Sequence, residues 1–191
     1  VGAFPGSFFV ADVRIVARAL LGARLVSTVG EGRTVGMIVE TEAYLGAEDP
    51  ASHAATRTGR TRRNEAMFGP PGRAYVYRIY GIHWCLNVVT GPAGHARAVL
   101  LRGLEPLEGV DLMIARRGRS SDLASGPGRL CQALGVDGRL YGHDLRHPPL
   151  RVLPGWRVPE EDVQVTGRIG VRKAADWPLR FFVRGSPGVS R

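Results

Sequence analysis

At 191 residues the chain can bury a substantial core and is most simply read as one domain, 1–191. Hydrophobic residues make up 44% and charged residues 23%, which excludes a disordered tail. No apolar run approaches the roughly 18–20 residues of a membrane span. Twenty-six basic against 17 acidic residues give a formal charge of +9. That balance favours a polyanionic partner such as nucleic acid over an anionic membrane surface.

Every base except Lys173 is arginine. Genomic base composition can skew that choice, yet the guanidinium fork suits phosphate. A Schiff-base mechanism would have to use Lys173 or the chain terminus, because it needs an amine. Cys85 and Cys131 are too few for a disulfide framework and read as reduced, buried thiols of an intracellular protein. The five His and two Cys show neither CxxC nor HExxH spacing, so no metal and no cofactor are expected. The chain opens on Val1 with neither an initiator Met nor a signal-peptide pattern, which reads as trimming.

In chain order, Asp12 caps a helix running to about Leu21, with Val13, Val16, Ala17, Leu20 and Leu21 on one apolar face and Gly22 as its stop. Arg24–Val29 and Arg33–Tyr44 read as paired strands around Gly30-Glu31-Gly32. Period two in the second strand places Ile38, Glu40, Glu42 and Tyr44 on one face, with Val35, Met37, Val39 and Thr41 on the other. The Val/Met face reads as core. The Glu-x-Glu-x-Tyr face is either solvated surface or the floor of a polar site.

From Gly46 to Arg63 the chain is loop-like, and Arg57, Arg60, Arg62 and Arg63 beside His53 form either a phosphate-contacting segment or a solvated basic loop. Asn64–Phe68 reads as a helical turn. Ala74–Ile79 and Trp84–Val89 flank Tyr80-Gly81 as a β-hairpin of unassigned turn type. Alternation sets Tyr75 and Tyr77 on one face and Tyr80 on the other. A Tyr, a Gly, an Ile and a His near its tip make an element built to enter something.

Ala96–Arg102 reads as a strand whose closing Arg102 faces a carboxylate or a site. A helix follows over Leu107–Arg117, stopped by Gly118. A second runs from Ser125-Gly126-Pro127-Gly128-Arg129 through Leu134, with Ser125 at its cap; that start is either an anion seat or simple capping. Arg139–Glu160 reads as wandering loop, and Val163–Val171 and Arg180–Val183 as late strands. No P-loop or GxGxxG occurs.

Ordered blocks over almost the whole chain then resemble one family. Glu40-Thr41-Glu42-Ala43-Tyr44-Leu45-Gly46, Asp49-Pro50-Ala51-Ser52-His53, Arg63-Asn64 with Met67-Phe68, and Tyr75-Val76-Tyr77 through Asn87 are similar to the alkyladenine (3-methyladenine) DNA glycosylases. Leu100-Leu101-Arg102-Gly103-Leu104-Glu105-Pro106, Ser125-Gly126-Pro127 with Leu130-Cys131-Gln132, Arg168-Ile169-Gly170-Val171 and Arg184-Gly185-Ser186-Pro187 continue the match. The Ala54–Arg62 loop and the segment after Val171 depart from the pattern.

The resemblance implies a single α+β domain on a curved, mainly antiparallel sheet, like the small barrel at the end of formyltransferases. Peripheral helices and a protruding β-hairpin complete it. It implies an intracellular base-excision-repair enzyme that removes alkylated or deaminated purines from double-stranded DNA, with a monomer as the default for an enzyme that scans DNA. Glu42 is expected to be the general base, and Arg102 to help hold the attacking water, which the carbonyl of Ile169 also contacts. Tyr44, His53 and Tyr77 would line the base pocket, and Asn87 would disfavour the amine of normal guanine. Tyr80 would fill the gap in the duplex, and Arg60, Arg63, Ser125 and Arg129 are candidate backbone contacts.

These residue types suit the chemistry. Extruding a base costs a few kcal/mol, which an inserted aromatic offsets in part. Aromatics stack on the flipped base, and a cationic alkylpurine gains cation–π attraction that a neutral base lacks. One carboxylate can both stabilise an oxocarbenium-like sugar and deprotonate water. With one Lys, water is the expected nucleophile and a lyase step is not expected. Two other readings are weighed: a catalytically weak lesion-binding module of the same fold, and an RNA-binding aromatic hairpin. Neither would need the Glu42–Arg102 pair.

Overall fold

The computed structural model describes residues 2–52 and 59–190, so His53 and Arg57 lie outside the described residues. The chain begins with α1 (Gly6–Val10) and α2 (Val13–Ala19). Asp12 caps α2, its carboxylate accepting from the Arg14 amide at 2.9 Å. The 3.6-residue spacing of Val13, Val16, Ala17 and Leu20 puts all four at 0–1% exposure against the sheet.

Strands β1 (Arg24–Ser27) and β2 (Thr34–Tyr44) pair antiparallel, as expected. A short 3-10 turn at Gly46–Glu48 and another at Glu65–Phe68 lead to β3 (Ala74–Ile79) and β4 (His83–Thr90). These form the hairpin read from the sequence, whose inner rows carry Ala74, Val76, Leu86 and Val88 into the core. Next comes β5 (Arg97–Glu108), longer than the strand that was expected to end at Arg102.

Two helices follow, α3 (Val110–Arg117) and α4 (Pro127–Leu134). The predicted start of α3 at Leu107 is corrected: Leu107 and Glu108 still belong to β5, and Gly109 turns the chain at φ +72°. The predicted Ser125 cap is also corrected by one residue. Gly126 occupies the cap of α4 at φ +137°, a backbone angle that serine rarely adopts.

The stretch expected to wander contains β6 (Leu150–Leu153), paired with β1 along its whole length. Its neighbouring prolines hid it, because its partner lies more than 100 residues away. The late strands are β7 (Val163–Thr166) and β8 (Arg180–Val183), so the predicted Val163–Val171 strand stops five residues early.

The eight strands form one curled antiparallel sheet in the order β3-β4-β5-β2-β1-β6. Strand β8 adds to the second half of β2 and is flanked by β7. The α+β reading therefore holds. Residues from α2, α3, α4 and one sheet face make the main core, from which Leu101, Leu104, Met113, Leu130 and Leu134 are all but excluded from water. No helix among the described residues is long and apolar enough to cross a membrane.

Two register shifts between β2 and β5 position the site. Ile38 opposes Leu104, Glu40 opposes Gly103 and Thr41 opposes Leu101. Val39 is thus an extra residue on β2, and Arg102 an extra residue on β5. Such insertions bend a strand and re-aim a side chain. They also correct the period-two reading of Val39. Its Cγ2 packs under the backbone of Gly188, which also covers Gly103, so Val39 shares Glu40's side rather than Thr41's. Thr41 points the other way, its hydroxyl donating to Ala17 O of α2 at 2.8 Å.

Candidate active site

Cross-strand neighbours in an antiparallel sheet share a face. One such row runs Tyr75, Asn87, Leu100, Glu42 and Arg180 across β3, β4, β5, β2 and β8. The sheet therefore places four of the residues singled out above, Glu42, Tyr44, Tyr77 and Asn87, on one surface. Arg102 joins them through its register shift.

Glu40 and Glu42 are both 0% exposed, which removes the solvated-surface reading of this face. Glu42 Oε1 accepts from the Ile169 amide at 2.7 Å and lies 3.5 Å from Arg102 Nε. Its Oε2 accepts from the Tyr44 hydroxyl at 2.9 Å. The resemblance implicates the carbonyl of Ile169; the contact seen is made by its N–H. Burial raises the proton affinity of Glu42, while Arg102, the Ile169 amide and the Tyr44 hydroxyl oppose that rise and Glu40 adds to it. The carboxyl ends above its ordinary 4.5.

Tyr44 is pushed well up by burial and by the charge of Glu42 beside it, so its hydroxyl keeps its proton and stays a donor. The Arg168 guanidinium lies 4.7 Å from the Tyr44 ring centroid and so covers one face of that ring. Arg168 is itself held by Asp49, with Nη2 to Oδ1 at 2.9 Å and both side chains fully buried. Burial would raise the Asp49 carboxyl, but the Arg168 bonds bring it below its usual value. Within the sequence Arg168 and Asp49 stand only as members of the family-like blocks, with no role read for either. Their pairing, across 119 residues, has no local sequence signal.

Tyr77 is half-buried, stacks on Tyr75 at 5.3 Å, and bonds to the Cys85 thiol. Burial, Cys85 and the nearby Glu42 charge all raise its proton affinity. Asn87 is buried, with its amide N–H donating to Tyr75 O at 3.1 Å. His53, the third expected pocket residue, lies outside the described residues. Cys85 and Cys131 are buried free thiols, as expected.

Tyr80 belongs to the turn rather than to a strand face. Tyr80 and Gly81 both have positive φ, +53° and +72°, which gives the turn a type I′ character matched to strand twist. The Tyr80 side chain is 85% exposed and Ile82 66%, so the hairpin presents bare apolar surface at its tip. A cleft of about 310 Å³ opens along this hairpin, lined by Tyr77, Trp84, Tyr141 and the exposed Arg62, Arg63 and Arg78.

The other candidate backbone contacts differ in freedom. Arg63 bridges to Arg78 O at 2.8 Å, and Arg60 pairs with Glu65. Ser125 and Arg129 bond to each other at 3.2 Å, with Ser125 buried and Arg129 exposed. Elsewhere, three Asp-x-Arg pairs (Asp12–Arg14, Asp137–Arg139, Asp144–Arg146) neutralise their own arginines. Arg62, Arg63 and Arg78 line the hairpin cleft as exposed cations.

The buried carboxylate, the guanidinium beside it and the aromatic hairpin thus lie on one curled sheet in a basic chain. The chain belongs to the methylpurine-DNA glycosylase (MPG) family, whose profile matches residues 7–187. It is 53% identical to a Methanoculleus marisnigri protein, with 98% of each chain covered. It is 48% identical to one from Carboxydothermus hydrogenoformans, again over 98% of each. With one from Nitrosospira multiformis it shares 52%, over 98% of this chain and 93% of the relative. Each of these carries the description "Putative 3-methyladenine DNA glycosylase".

Proposed function

We propose that this protein is a monofunctional 3-methyladenine-type DNA glycosylase that flips a damaged purine from duplex DNA and hydrolyses its N-glycosidic bond. The observation that carries the reading is Glu42. It is a fully buried carboxylate held by a guanidinium, an amide and a phenol, on the same sheet face as Tyr77 and Asn87.

Each Glu42 oxygen accepts one hydrogen bond from Ile169 or Tyr44 and keeps lone-pair capacity for a water proton. The Arg102 charge holds the carboxylate ionised against its burial and helps orient that water. As the purine leaves, positive charge develops on the deoxyribose, and the anionic Glu42 stabilises it from its buried position. A cationic alkylpurine departs readily. A neutral lesion such as hypoxanthine needs a proton on leaving, and so depends more on the pocket.

The exposed Tyr80 tip is the side chain that fills the vacated stack. Tyr80→Ala should weaken binding to lesion duplex by roughly 1–3 kcal/mol, the worth of one aromatic–base stack. Its melting temperature should stay that of the parent, because exposed side chains contribute little. Equal binding by the variant in a titration would remove Tyr80 from this role.

The direct test incubates the protein with duplexes carrying one 3-methyladenine, 7-methylguanine, hypoxanthine or ethenoadenine and scores abasic sites. Release of at least the methylated purines, with undamaged duplex left intact, is expected. Tight binding with no release of any of them would leave a binding module. Borohydride should trap no covalent adduct, since Lys173 is an exposed residue of the irregular 167–179 segment. A trapped Lys173 adduct would show amine rather than water attack.

A further inference from the structure

Glu40, the other carboxylate of this face, is bonded entirely inside the protein. It accepts from the Ser190 amide at 2.6 Å, the Ser190 hydroxyl at 2.8 Å, Arg180 Nε at 2.7 Å and Arg102 Nε at 3.3 Å. Arg180 reaches it from β8, where it also donates to Ser190 O and Thr166 Oγ1, each at 3.3 Å, and lies over the Phe182 ring. Arg102 Nη2 closes the ring of contacts on Ser190 Oγ at 3.2 Å. The hydrolysis outlined above uses none of Glu40, Arg180 and Ser190.

The backbone is shaped to bring these groups together. A Cβ on Gly103 would stand 2.3 Å from Gly188 O, and one on Gly188 would stand 2.5 Å from Leu104 O. Only glycines let residues 188–190 lie this close over the register shift from which Arg102 projects.

Charge then limits what Arg102 can do. Its Nε sits 3.3 Å from Glu40 and 3.5 Å from Glu42, one cation between two buried anions. A buried anion left without a counter-charge is costly. Arg180 supplies the second cation, and it does so on the Glu40 side.

We propose that Glu40 and Arg180 are positioning residues, a buried ion pair that, closed by Ser190, fixes the Arg102 guanidinium and reserves its charge for Glu42. The proposal rests on the reading of Glu42 as the base. Among the described residues, the groups facing Glu42 are Tyr44 and Glu40 of β2, Arg102 of β5, Tyr77 of β3, Cys85 of β4, and the Ile169 amide with Arg168. Of these only Arg102 and Arg168 are cations, and Arg168 is committed to Asp49. Without Arg180, Glu40 draws Arg102 toward itself. Glu42 then loses its cation and keeps an anionic neighbour, and both changes favour its protonated form.

The test is the pH profile of kcat/KM on a 3-methyladenine duplex for wild type, Arg180→Met, Arg180→Lys, Glu40→Gln and the double variant Glu40→Gln/Arg180→Met. In Arg180→Met the acid limb should move to higher pH, with a loss on the order of tenfold on the acid side, the scale set by one opposite charge. Arg180→Lys should hold the limb in place, and the double variant should return it toward wild type, because the competing anion is gone. A purely structural pair would instead lower the whole profile without moving the limb, and the double variant would not recover it. Either result overturns the proposal. Should Arg180→Met fail to fold by circular dichroism, Arg180→Gln reads the same limb. If Glu42→Gln itself keeps turnover, the assignment of the base fails instead, and the two failures are told apart.

Discussion

Glu42→Gln is expected to reduce excision of 3-methyladenine by 10²–10⁴-fold, the usual contribution of a positioned proton acceptor, while leaving binding to lesion DNA intact. The amide is nearly isosteric. Its oxygen can still accept from the Ile169 N–H, and its NH₂ can donate to the Tyr44 oxygen, so the surrounding bonds at 2.7 and 2.9 Å survive with one reversed. Stability should move the other way from activity. Burial sets the folded-state pKa of Glu42 above the value of 4.5 expected in the unfolded chain. Protonation therefore favours the fold, with that stabilisation complete below the unfolded value and lost as pH rises through the folded one. At neutral pH, the variant should melt no lower than wild type. Single-turnover kinetics and thermal melts on the same samples separate the two effects, and near-normal turnover would exclude Glu42 as the base.

Arg168→Met should destabilise the protein by about 3–5 kcal/mol, the cost of stranding one partner of a buried ion pair. For a chain of this size, that is a fall in melting temperature on the order of 10 °C. Asp49 would be left buried and ionised, having lost both guanidinium bonds. Because the Asp49 carboxyl is held below its usual value, the pair stabilises above the unfolded pKa of 3.8 and fails as pH falls through the folded one. Part of the loss should therefore return in Arg168→Met/Asp49→Asn, which removes both charges and keeps an acceptor for the Ala51 amide. The same change uncovers one face of Tyr44 and frees the residue preceding Ile169, whose amide holds Glu42. Excision measured well below the melting point should thus fall in both variants. Full activity in the double variant would show that the pair serves stability alone.

Much of this arrangement was legible in the sequence, for identifiable reasons. The 3.6-residue face of α2 and the alternation of the β3–β4 hairpin are local patterns, and packing agrees with both. The Glu40-Thr41-Glu42-Ala43-Tyr44 run could be placed on a face because side chains alternate in any strand. Val39 broke the same rule, since an extra residue in β2 depends on where Gly103 sits in β5. Strand β6 carries little local signal because β1, its one strand partner among the described residues, is remote. Ser190 gave no signal at all. It is an ordinary small residue until 150 residues of chain return it to Glu40. Properties set by neighbours along the chain could be read, and those set by distant closure could not.

That distant closure bears on how the protein is made. Glu40, Arg102, Arg180 and Ser190 meet only after the last strand and the segment behind it have emerged from the ribosome. Closing so long a loop is entropically slow relative to local folding. A growing polypeptide can thus carry a finished hairpin and most of its sheet while the Glu40–Arg102 centre stays unassembled until residues 180–190 join it.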